Sequence, residues 1–526
     1  MTYFKMKAYK YAFLPLLLMS TAIPVSSQEN SIIVGLAGDP TLINSAITTE
    51  INSSVVGAQV YSTIVRLNYK GEPIPSLAKS WEISPDGKTY TFRFFEGIKW
   101  HDGTPFTAED VAWSLQNLNR KFNGPAGGLL EAVQEMKVID PLTVVFELSQ
   151  PYPPLLRGLA YFNSAMILPK HIFDNGSAPQ ENPANLAPVG TGPFIFKEFK
   201  KGSHITLERN PDYHLEGPWV DRLVYQIIPN DAARGLALEK GDIDYIPYHV
   251  MPLGEVDRLS KARDITVAFQ KRSIAGQYQA FLNTRSGPLS HKRVRQALYF
   301  AMDRQELLEK AGFGHGVVSK GGGLSSELPI FYTDQVPQYQ HDVARANEML
   351  DEAGYPRGQD GKRFSLRVSY SLSEGPMANV SKLLRAQFAK VGVEVIDEGM
   401  EMSAWREKAY VKWDFDVTMG SYASGPDPAT GAAGFYTCDR IVPRSGFNAS
   451  GYCNPELDKL FEAAGKELNE ANRINLYHQA AAILAEDVPH WWFWDRYYPI
   501  AFRSGLDGIT QDITGYGTMD VVKWTE

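Results

Sequence analysis

The sequence predicts a mixed α/β protein of two lobes that are joined by two crossings of the chain. Its 526 residues are more than a single hydrophobic core supports, so at least two domains are expected. Strand and helix patterns mix without the strict alternation of a doubly wound fold. Strands dominate before Asn283, long amphipathic helices follow, and an extended aromatic segment returns at 489–498. This return suggests that the N- and C-terminal parts share one lobe.

The first 27 residues have the pattern of an export signal. Lys5, Lys7 and Lys10 precede a short apolar stretch at 11–19, and small and polar residues follow as far as Ser27. Val25 and Ser27 fit the −3 and −1 positions of a cleavage site, so we expect cleavage after Ser27. The apolar stretch is too short and too interrupted for a membrane-spanning helix. No other candidate span follows in the sequence, so a soluble mature protein is expected.

Local patterns predict the elements of the mature chain in order. An apolar run at 31–36 indicates a buried strand, and alternation indicates a second strand at 90–94. Thr107, with Asp110 three residues later, is typical of a helix N-terminus. Further strands are predicted at 143–148 and 194–196, and helices at 293–310, 342–353, 377–391 and 455–484.

The two cysteines, Cys438 and Cys453, are predicted to form a disulfide. Export places both in an oxidising compartment, and the segment between them has turn residues and little periodicity. The rival interpretation, a metal-binding pair, lacks the two further ligands that a structural site needs. Closing a loop of this size stabilises the folded chain by roughly 3 kcal/mol.

Charge and motifs argue against nucleic-acid binding and against catalysis. The net charge is −8, whereas nucleic-acid binders concentrate positive charge. The glycine-rich segment 190–193 lacks the Gly-Lys-Ser/Thr of a phosphate loop, and neither a Gly-x-Ser-x-Gly nor a His-Glu-x-x-His motif occurs. His101 and Asp102 have no third ligand nearby in the sequence, which favours a structural turn. We therefore expect no enzyme, no cofactor and no metal, and an exported hydrolase is the weakest alternative.

Several longer stretches resemble family 5 of the solute-binding proteins of ABC importers, which includes dipeptide, oligopeptide, nickel and opine receptors. The matching stretches are 61–65 (YSTIV), 75–90 (PSLAKSWEISPDGKTY), 95–111 (FEGIKWHDGTPFTAEDV), 190–194 (GTGPF) and 293–298 (RVRQAL). The resemblance extends over nearly the whole mature chain.

The resemblance implies the bilobal periplasmic-binding-protein fold of type II, with an extra subdomain and a two-stranded hinge. The division that it implies has four parts. These are the signal peptide 1–27, a main first-lobe subdomain at 28–75, 190–282 and 489–526, an extra first-lobe subdomain at 76–189, and a second lobe at 283–488.

The resemblance also implies a function without catalysis. Such a protein binds a solute in the cleft between its lobes and delivers it, as a periplasmic monomer, to ABC permease subunits with cytoplasmic ATPases. Peptides are the expected ligands, and opines, sugar phosphates or other non-peptide solutes are the alternatives. A bare nickel ion is disfavoured, because the candidate loop offers no His or Cys cluster. A receptor adapted to signalling or chaperoning is a further alternative.

One loop departs from the pattern of the family's peptide receptors. In those receptors an aspartate of this loop pairs with the ligand's α-ammonium, three residues before an acid-Pro step. Here Gly420 matches the glycine that precedes the loop and Asp427-Pro428 matches the acid-Pro step, so the ammonium position falls on Ser424. A hydroxyl does not replace an ionic partner for a buried ammonium. Either Asp427 substitutes for the missing carboxylate, or the ligand has no ammonium there, or the loop is ordinary turn structure and other residues select the ligand.

The remaining candidate ligand contacts are aromatic, apart from one arginine. Trp405 is a candidate because family members place an aromatic wall in this region, and Tyr422 lies in the loop itself. Trp492 and Trp494 belong to the aromatic segment, where alternation would turn one set of rings toward the cleft. Arg285 is a candidate partner for a carboxylate or phosphate, although a structural ion pair is the favoured interpretation.

Overall fold

The structure, a computed structural model, describes residues 30–68, 70–269, 276–510, 516 and 518–525. The predicted signal peptide therefore lies outside the described residues. The protein is of mixed α/β class, as the sequence predicts, and its sheets build two lobes. No helix among the described residues is long and apolar enough to cross a membrane.

The first lobe is built on a sheet with seven described strands. In spatial order they are Ile265–Phe269, Pro499–Arg503, Tyr245–Ile246, Ser31–Leu36, Arg222–Ile227, His204–Arg209 and Phe194–Lys200. The apolar strand Ser31–Leu36 lies at the centre and pairs in parallel with both of its neighbours. Its predicted bounds are confirmed, because a central strand covered on both faces has a continuous apolar run.

The second lobe is built on a sheet with six strands in the described part of the chain. In spatial order they are Gly316–Val318, His490–Arg496, Gly276–Leu282, Val417–Ala423, Phe364–Ser371 and Val393–Met400. Its hydrophobic core extends in sequence from Tyr278 to Trp494, whereas Tyr498 belongs to the core of the first lobe. The chain therefore changes lobe within the few residues that separate Arg496 from Tyr498.

A smaller, four-stranded sheet is formed by the part of the chain that lies, in sequence, between the first two segments of the first lobe. Its strands are Ala78–Ile83, Thr89–Phe94, Thr143–Leu148 and Val133–Asp140 in spatial order. It has its own hydrophobic core, which includes Phe92, Trp100 and Phe146. Two-stranded ribbons pair Val65–Leu67 with Pro73–Pro75 and Leu506–Asp507 with Lys523–Trp524. The separate core supports our proposal that the region 76–189 is a subdomain.

The helices cover the faces of these sheets. In the first lobe they are Ile51–Val60, Ala108–Ser114, Arg120–Phe122, Gly124–Leu129, Pro154–Gly158, Phe162–Ala165, Lys170–Phe173, Asp231–Lys240 and Val256–Leu259. In the second lobe they are Lys292–Phe300, Arg304–Ala311, Val343–Glu352, Met377–Ala389, Met402–Arg406, Ala433–Tyr436, Pro455–Lys466 and Glu470–Asp487. The predicted capping pair is confirmed, since the Thr107 backbone N–H donates to Asp110 Oδ2 at 2.9 Å.

Strand pairing corrects two of the predicted lobe boundaries. The strands Gly276–Leu282 and His490–Arg496 were expected in the first lobe, but they pair with each other at the centre of the six-stranded sheet. The change of composition at Asn283 marks the start of the helix-rich part and not the crossing between lobes. The crossings lie between Phe269 and Gly276 and between Arg496 and Pro499.

Two predicted helices are each divided by a capping residue. The segment predicted at 293–310 ends at Phe300 and begins again at Arg304, where the Asp303 carboxylate accepts from the Glu306 N–H at 2.9 Å. The segment predicted at 455–484 divides at Asn469, which caps the helix Glu470–Asp487. Asp303 and Asn469 are residue types that favour a helix N-terminus, because their side chains accept a hydrogen bond from a backbone N–H of the first turn.

The predicted disulfide is confirmed. Cys438 and Cys453 are bonded, with their Cα atoms 4.7 Å apart. The bond closes the segment that follows the short helix Ala433–Tyr436 and leads into the helix Pro455–Lys466. It therefore ties the segment after the candidate loop to the second lobe.

The glycine-rich segment 190–193 packs against His101. The His101 ring lies against it, since Nδ1 accepts from the Gly190 N–H at 3.2 Å and Nε2 lies 3.0 Å from the Gly192 carbonyl. With Nδ1 as an acceptor, the neutral tautomer that donates from Nε2 satisfies both nitrogens. Both bonds hold the return of the chain into the first lobe.

This arrangement predicts a loss of stability in mild acid. Burial lowers the pKa of His101 to about 4, against the opposing effects of the Gly192 carbonyl and Asp102. An unfolded histidine titrates near pH 6.5, so the unfolded chain binds a proton between about pH 6.5 and 4 where the folded chain does not. His101 therefore makes its full contribution to the free energy of unfolding above about pH 6.5. This contribution falls by about 3 kcal/mol in total as the pH is lowered to about 4. Urea denaturation across this range should show a flatter pH dependence for His101→Gln, and an unchanged dependence would contradict the account.

Candidate ligand-binding cleft

The loop after the strand Val417–Ala423 is tightly packed. Gly431 lies against the backbone of Ser424, where a Cβ atom would approach the Ser424 carbonyl oxygen to 2.0 Å. Gly425 has a positive φ of 70°, which favours glycine. A Cβ atom at Gly420 would lie 3.3 Å from the Trp405 ring. The small residues of this loop therefore serve close backbone packing.

Asp427 is already paired within the protein. Its side chain is fully buried, and both carboxylate oxygens lie 2.6 Å from Arg473 Nη2. The Tyr477 hydroxyl donates to Oδ1 at 3.2 Å, and the Ala429 N–H donates to the same oxygen at 3.0 Å. These contacts fill the carboxylate's acceptor positions. Asp427 is thus not free to replace the missing ammonium partner.

Ser424 supplies no charge to the cleft. It is buried, and its hydroxyl has no hydrogen bond to any residue that the structure describes. Its contact with a ligand remains a prediction.

The predicted aromatic contacts lie inside the second lobe. Trp405 Nε1 donates to Thr418 Oγ1 at 2.8 Å, and the Tyr422 hydroxyl accepts from Tyr410 at 2.5 Å. Both side chains are buried beside the strand Val417–Ala423. Both rings therefore pack within the lobe in this structure, and their contact with a ligand stays a prediction.

Trp492 and Trp494 are also enclosed. Trp492 Nε1 donates to the Tyr436 hydroxyl at 2.8 Å, and the Trp494 ring packs 4.8 Å from that of Tyr278. The strand His490–Arg496 is covered on both faces, so alternation does not turn either indole toward the cleft. Ligand contact by these two rings stays a prediction, which the burial of both side chains does not favour.

Arg285 has the structural role that the sequence favoured, with a different partner. Its guanidinium lies 4.1 Å from the Trp413 ring and donates to the Ala449 carbonyl at 2.8 Å. This is a cation–π contact with a backbone hydrogen bond, and not the ion pair expected.

The two lobes contact each other in this structure. Contacts between ionisable side chains of the described residues include Arg157 with Glu470 (3.6 Å), Glu131 with Arg440 (3.4 Å), and Asp257 with His315 (3.6 Å). The first two join the small four-stranded region to the second lobe. The third joins the main part of the first lobe to the second lobe.

Charged groups meet where the chain crosses between the lobes. Arg496 ends its strand and donates from Nη1 to Ser421 Oγ. The Ser421 N–H donates to Glu374 Oε2 at 3.3 Å. Tyr278 from the second lobe and Tyr498 from the first place their rings 4.9 and 5.1 Å from the Arg496 guanidinium. These residues lie where the chain crosses between the lobes. We expect this position to be the base of the interlobe cleft, and we call Glu374, Ser421 and Arg496 the floor cluster.

A separate concavity of about 990 Å³ lies on the outer strands of the seven-stranded sheet. Lys197, His204, Glu208 and Arg222 are among its lining residues. It is broad, polar and distant in the fold from the crossing segments, so we place the ligand site at the cleft instead.

Comparison with known proteins decides the family. The family description "Bacterial extracellular solute-binding proteins, family 5 Middle" matches residues 72–442, which is more than half of the chain. The chain belongs to family 5 of the bacterial extracellular solute-binding proteins.

Relatives of this family 5 protein include receptors for different ligands. It is 28% identical to a dipeptide-binding protein of Escherichia coli, with 96% of this chain and 95% of the relative covered. The oligopeptide-binding protein AppA of Bacillus subtilis, solved with a nonapeptide, is 26% identical at a TM-score of 0.78, with 94% and 99% coverage. The protein AgaA of A. tumefacien R10, solved with agropinic acid, is 25% identical at a TM-score of 0.79, with the same coverage. The predicted periplasmic-binding-protein fold is confirmed.

Family membership places the protein among solute-binding proteins and not among enzymes. Among the described residues, no group of three or more His, Cys, Asp or Glu side chains is arranged to hold a metal ion.

Sequence reasoning missed the floor cluster of this family 5 protein. Arg496 was visible as the single cation of the aromatic segment 491–498, and Glu374 follows the end of the strand Phe364–Ser371. Neither signal indicates a site by itself, because the two side chains meet only through the pairing of distant strands.

Proposed function

We propose that this protein is the exported solute receptor of an ABC importer and that its solute is a short peptide. In this proposal the leader is cleaved near Ser27, and the mature protein acts in the periplasm as a monomer. It encloses its solute between the lobes and delivers it to permease subunits that work with cytoplasmic ATPases.

The observation that supports this function most directly is the charged floor at the junction of the lobes. Glu374 and Arg496 lie deep in the protein but keep partial access to solvent. Side chains that lie far from the outer surface and still reach solvent are typical of the lining of a cleft. A cleft that closes by movement about crossing segments buries most of a small ligand, with a few convergent polar groups to orient it.

The assignment of a peptide rests on the relatives. The E. coli relative is named for dipeptides, and the AppA structure contains a nonapeptide.

A non-peptide solute such as an opine is the second candidate. Ser424 stands where the peptide receptors have their ammonium partner, and Asp427 is paired with Arg473. The AgaA structure contains agropinic acid. These observations favour a ligand that is held differently from the peptides of the resembling receptors.

Isothermal titration with unmodified tri-alanine and with agropinic acid separates the candidates. We expect saturable binding of tri-alanine at one site. Ligand at 100 times its dissociation constant should also add about 2.7 kcal/mol to the free energy of unfolding. Binding of agropinic acid without any binding of free peptides would replace the peptide assignment by the second candidate. Permease and ATPase genes beside this gene would support delivery to an importer, and their absence would count against it.

A further inference from the structure

The floor cluster contains two opposite charges that converge on one residue without touching each other. Ser421 forms a hydrogen bond with each of them, since its hydroxyl accepts from Arg496 and its N–H donates to Glu374. Among the described residues, neither Glu374 nor Arg496 has an oppositely charged partner within 4.0 Å. Within the described part of the chain, the two charges are therefore close neighbours whose hydrogen-bonding capacity is not filled.

The same lobe shows what a completed buried pair looks like. Arg473 and Asp427 meet at 2.6 Å, and further donors complete the Asp427 carboxylate. Internal pairs close to contact in this way because desolvated charges are costly unless they are paired and hydrogen-bonded. Glu374 and Arg496 have the same opportunity, but they remain apart.

The surroundings orient the Arg496 guanidinium instead of neutralising it. Tyr278 and Tyr498 flank it with ring faces, and one N–H is used by Ser421. A guanidinium has five N–H donors in a planar fork that suits a carboxylate. The remaining N–H groups can thus bind an anionic group that enters the cleft.

Glu374 is poised in the complementary way. Its carboxylate receives a single N–H, from Ser421, among the described residues. Burial raises its pKa, although Arg496 and the Ser421 N–H oppose that effect. A cation in direct contact would relieve the unfavourable burial of this charge.

We propose that the floor cluster is a paired-charge subsite for a zwitterionic ligand, in which Glu374 binds an ammonium and Arg496 binds a carboxylate. The ammonium partner has thus moved from position 424 to position 374. This inference rests on the proposed function, and it narrows the solute class to compounds with both a free amine and a free acid, such as an unblocked short peptide.

The test combines modified ligands with matched variants. The probes are tri-alanine, N-acetyl-tri-alanine and tri-alanine amide, and the measurement is the dissociation constant by titration calorimetry. For the unaltered protein, we expect each modification to weaken binding at least about 30-fold, as for loss of one partner of a buried charge pair. This part requires no variant and therefore does not depend on a variant's folding.

The variants locate each contact. Glu374→Gln should weaken tri-alanine binding at least about 30-fold and bring tri-alanine and its N-acetyl derivative within about threefold of each other. Arg496→Gln should do the same for tri-alanine and its amide, with Arg496→Lys retaining part of the preference for the acid. Glu309→Gln and Arg385→Gln, which change exposed groups of the second lobe, are the controls and should leave all three constants unchanged.

The outcomes separate this inference from the proposed function. If Glu374→Gln keeps the full preference for the free amine, the ammonium lies elsewhere and the subsite is wrong, while peptide binding stands. The same holds for Arg496→Gln and the free acid. If the unaltered protein binds none of the three probes or any free peptide, the peptide assignment fails and the subsite fails with it.

Discussion

Replacing Arg473 with methionine lowers the free energy of unfolding by about 3–5 kcal/mol, because it leaves the Asp427 carboxylate buried without its cation. Asp427 is fully buried, and its two oxygens share Arg473 Nη2 at 2.6 Å. Arg473 also donates from Nε to the Ala464 carbonyl at 2.9 Å, which joins its own helix, Glu470–Asp487, to the helix Pro455–Lys466. The expected loss is therefore among the largest that a single substitution produces in the second lobe.

The double variant Asp427→Asn/Arg473→Met distinguishes the unpaired charge from lost packing. It removes both charges, so most of the stability lost in Arg473→Met should return. Urea denaturation followed by tryptophan fluorescence gives the three free energies. A loss below about 1 kcal/mol in Arg473→Met, or a double variant no more stable than the single one, would contradict the structural role of Asp427.

Gly190→Ala is expected to destabilise the first lobe by more than about 3 kcal/mol, because the added methyl group has no space. A Cβ atom at Gly190 would lie 1.8 Å from the Val60 carbonyl oxygen and 2.6 Å from the Val60 carbonyl carbon. Both are backbone atoms at the end of the helix Ile51–Val60, so relief requires movement of the chain. The displacement would also disturb the His101 contacts that hold this segment.

Gly128→Ala is the matched control for this substitution. Gly128 lies in the helix Gly124–Leu129, and no heavy atom lies within 4 Å of its added Cβ. Alanine in a helix is more favourable than glycine by roughly 0.5–1 kcal/mol. Thermal or urea unfolding should show a large loss for Gly190→Ala and no loss for Gly128→Ala. Equal behaviour of the two variants would show that the close approach to Val60 is relieved without cost.

Local physics made much of the fold predictable from the sequence. The strand Ser31–Leu36 follows from a continuous apolar run, and the helix after Thr107 follows from its capping pair. The disulfide follows from export and the presence of two cysteines. Each of these signals lies within a few residues or depends on composition alone.

The errors arose where distant segments decide the outcome. Arg473 lies 46 residues from Asp427, and no local sequence pattern indicates that it pairs with that carboxylate. Glu374 and Arg496 lie 47 and 75 residues from Ser421, on which they converge. The aromatic segment depends on distant segments in the same way. Strand alternation predicts one exposed face only for a sheet that is covered on its other face alone, and the strand His490–Arg496 is covered on both faces. These contacts depend on the order of strands in the six-stranded sheet.

The proposed site therefore lies at Glu374 and Arg496 and not in the loop around Asp427. The loop around Asp427 stabilises the second lobe, and the charged floor formed by Glu374 and Arg496 takes over the recognition of a ligand in our proposal. The departure at Ser424 then marks a relocated ammonium partner and not a receptor without one.

Native mass spectrometry of the protein purified without unfolding tests the central claim most directly, since closed lobes retain their solute. The account predicts an additional mass that is released on unfolding and that belongs to a small compound with a free amine and a free carboxylate. Protein purified in parallel as Glu374→Gln should retain much less of it, whereas Glu309→Gln should retain the same amount. A retained solute that lacks either charged group, or equal retention by all three proteins, would contradict the account.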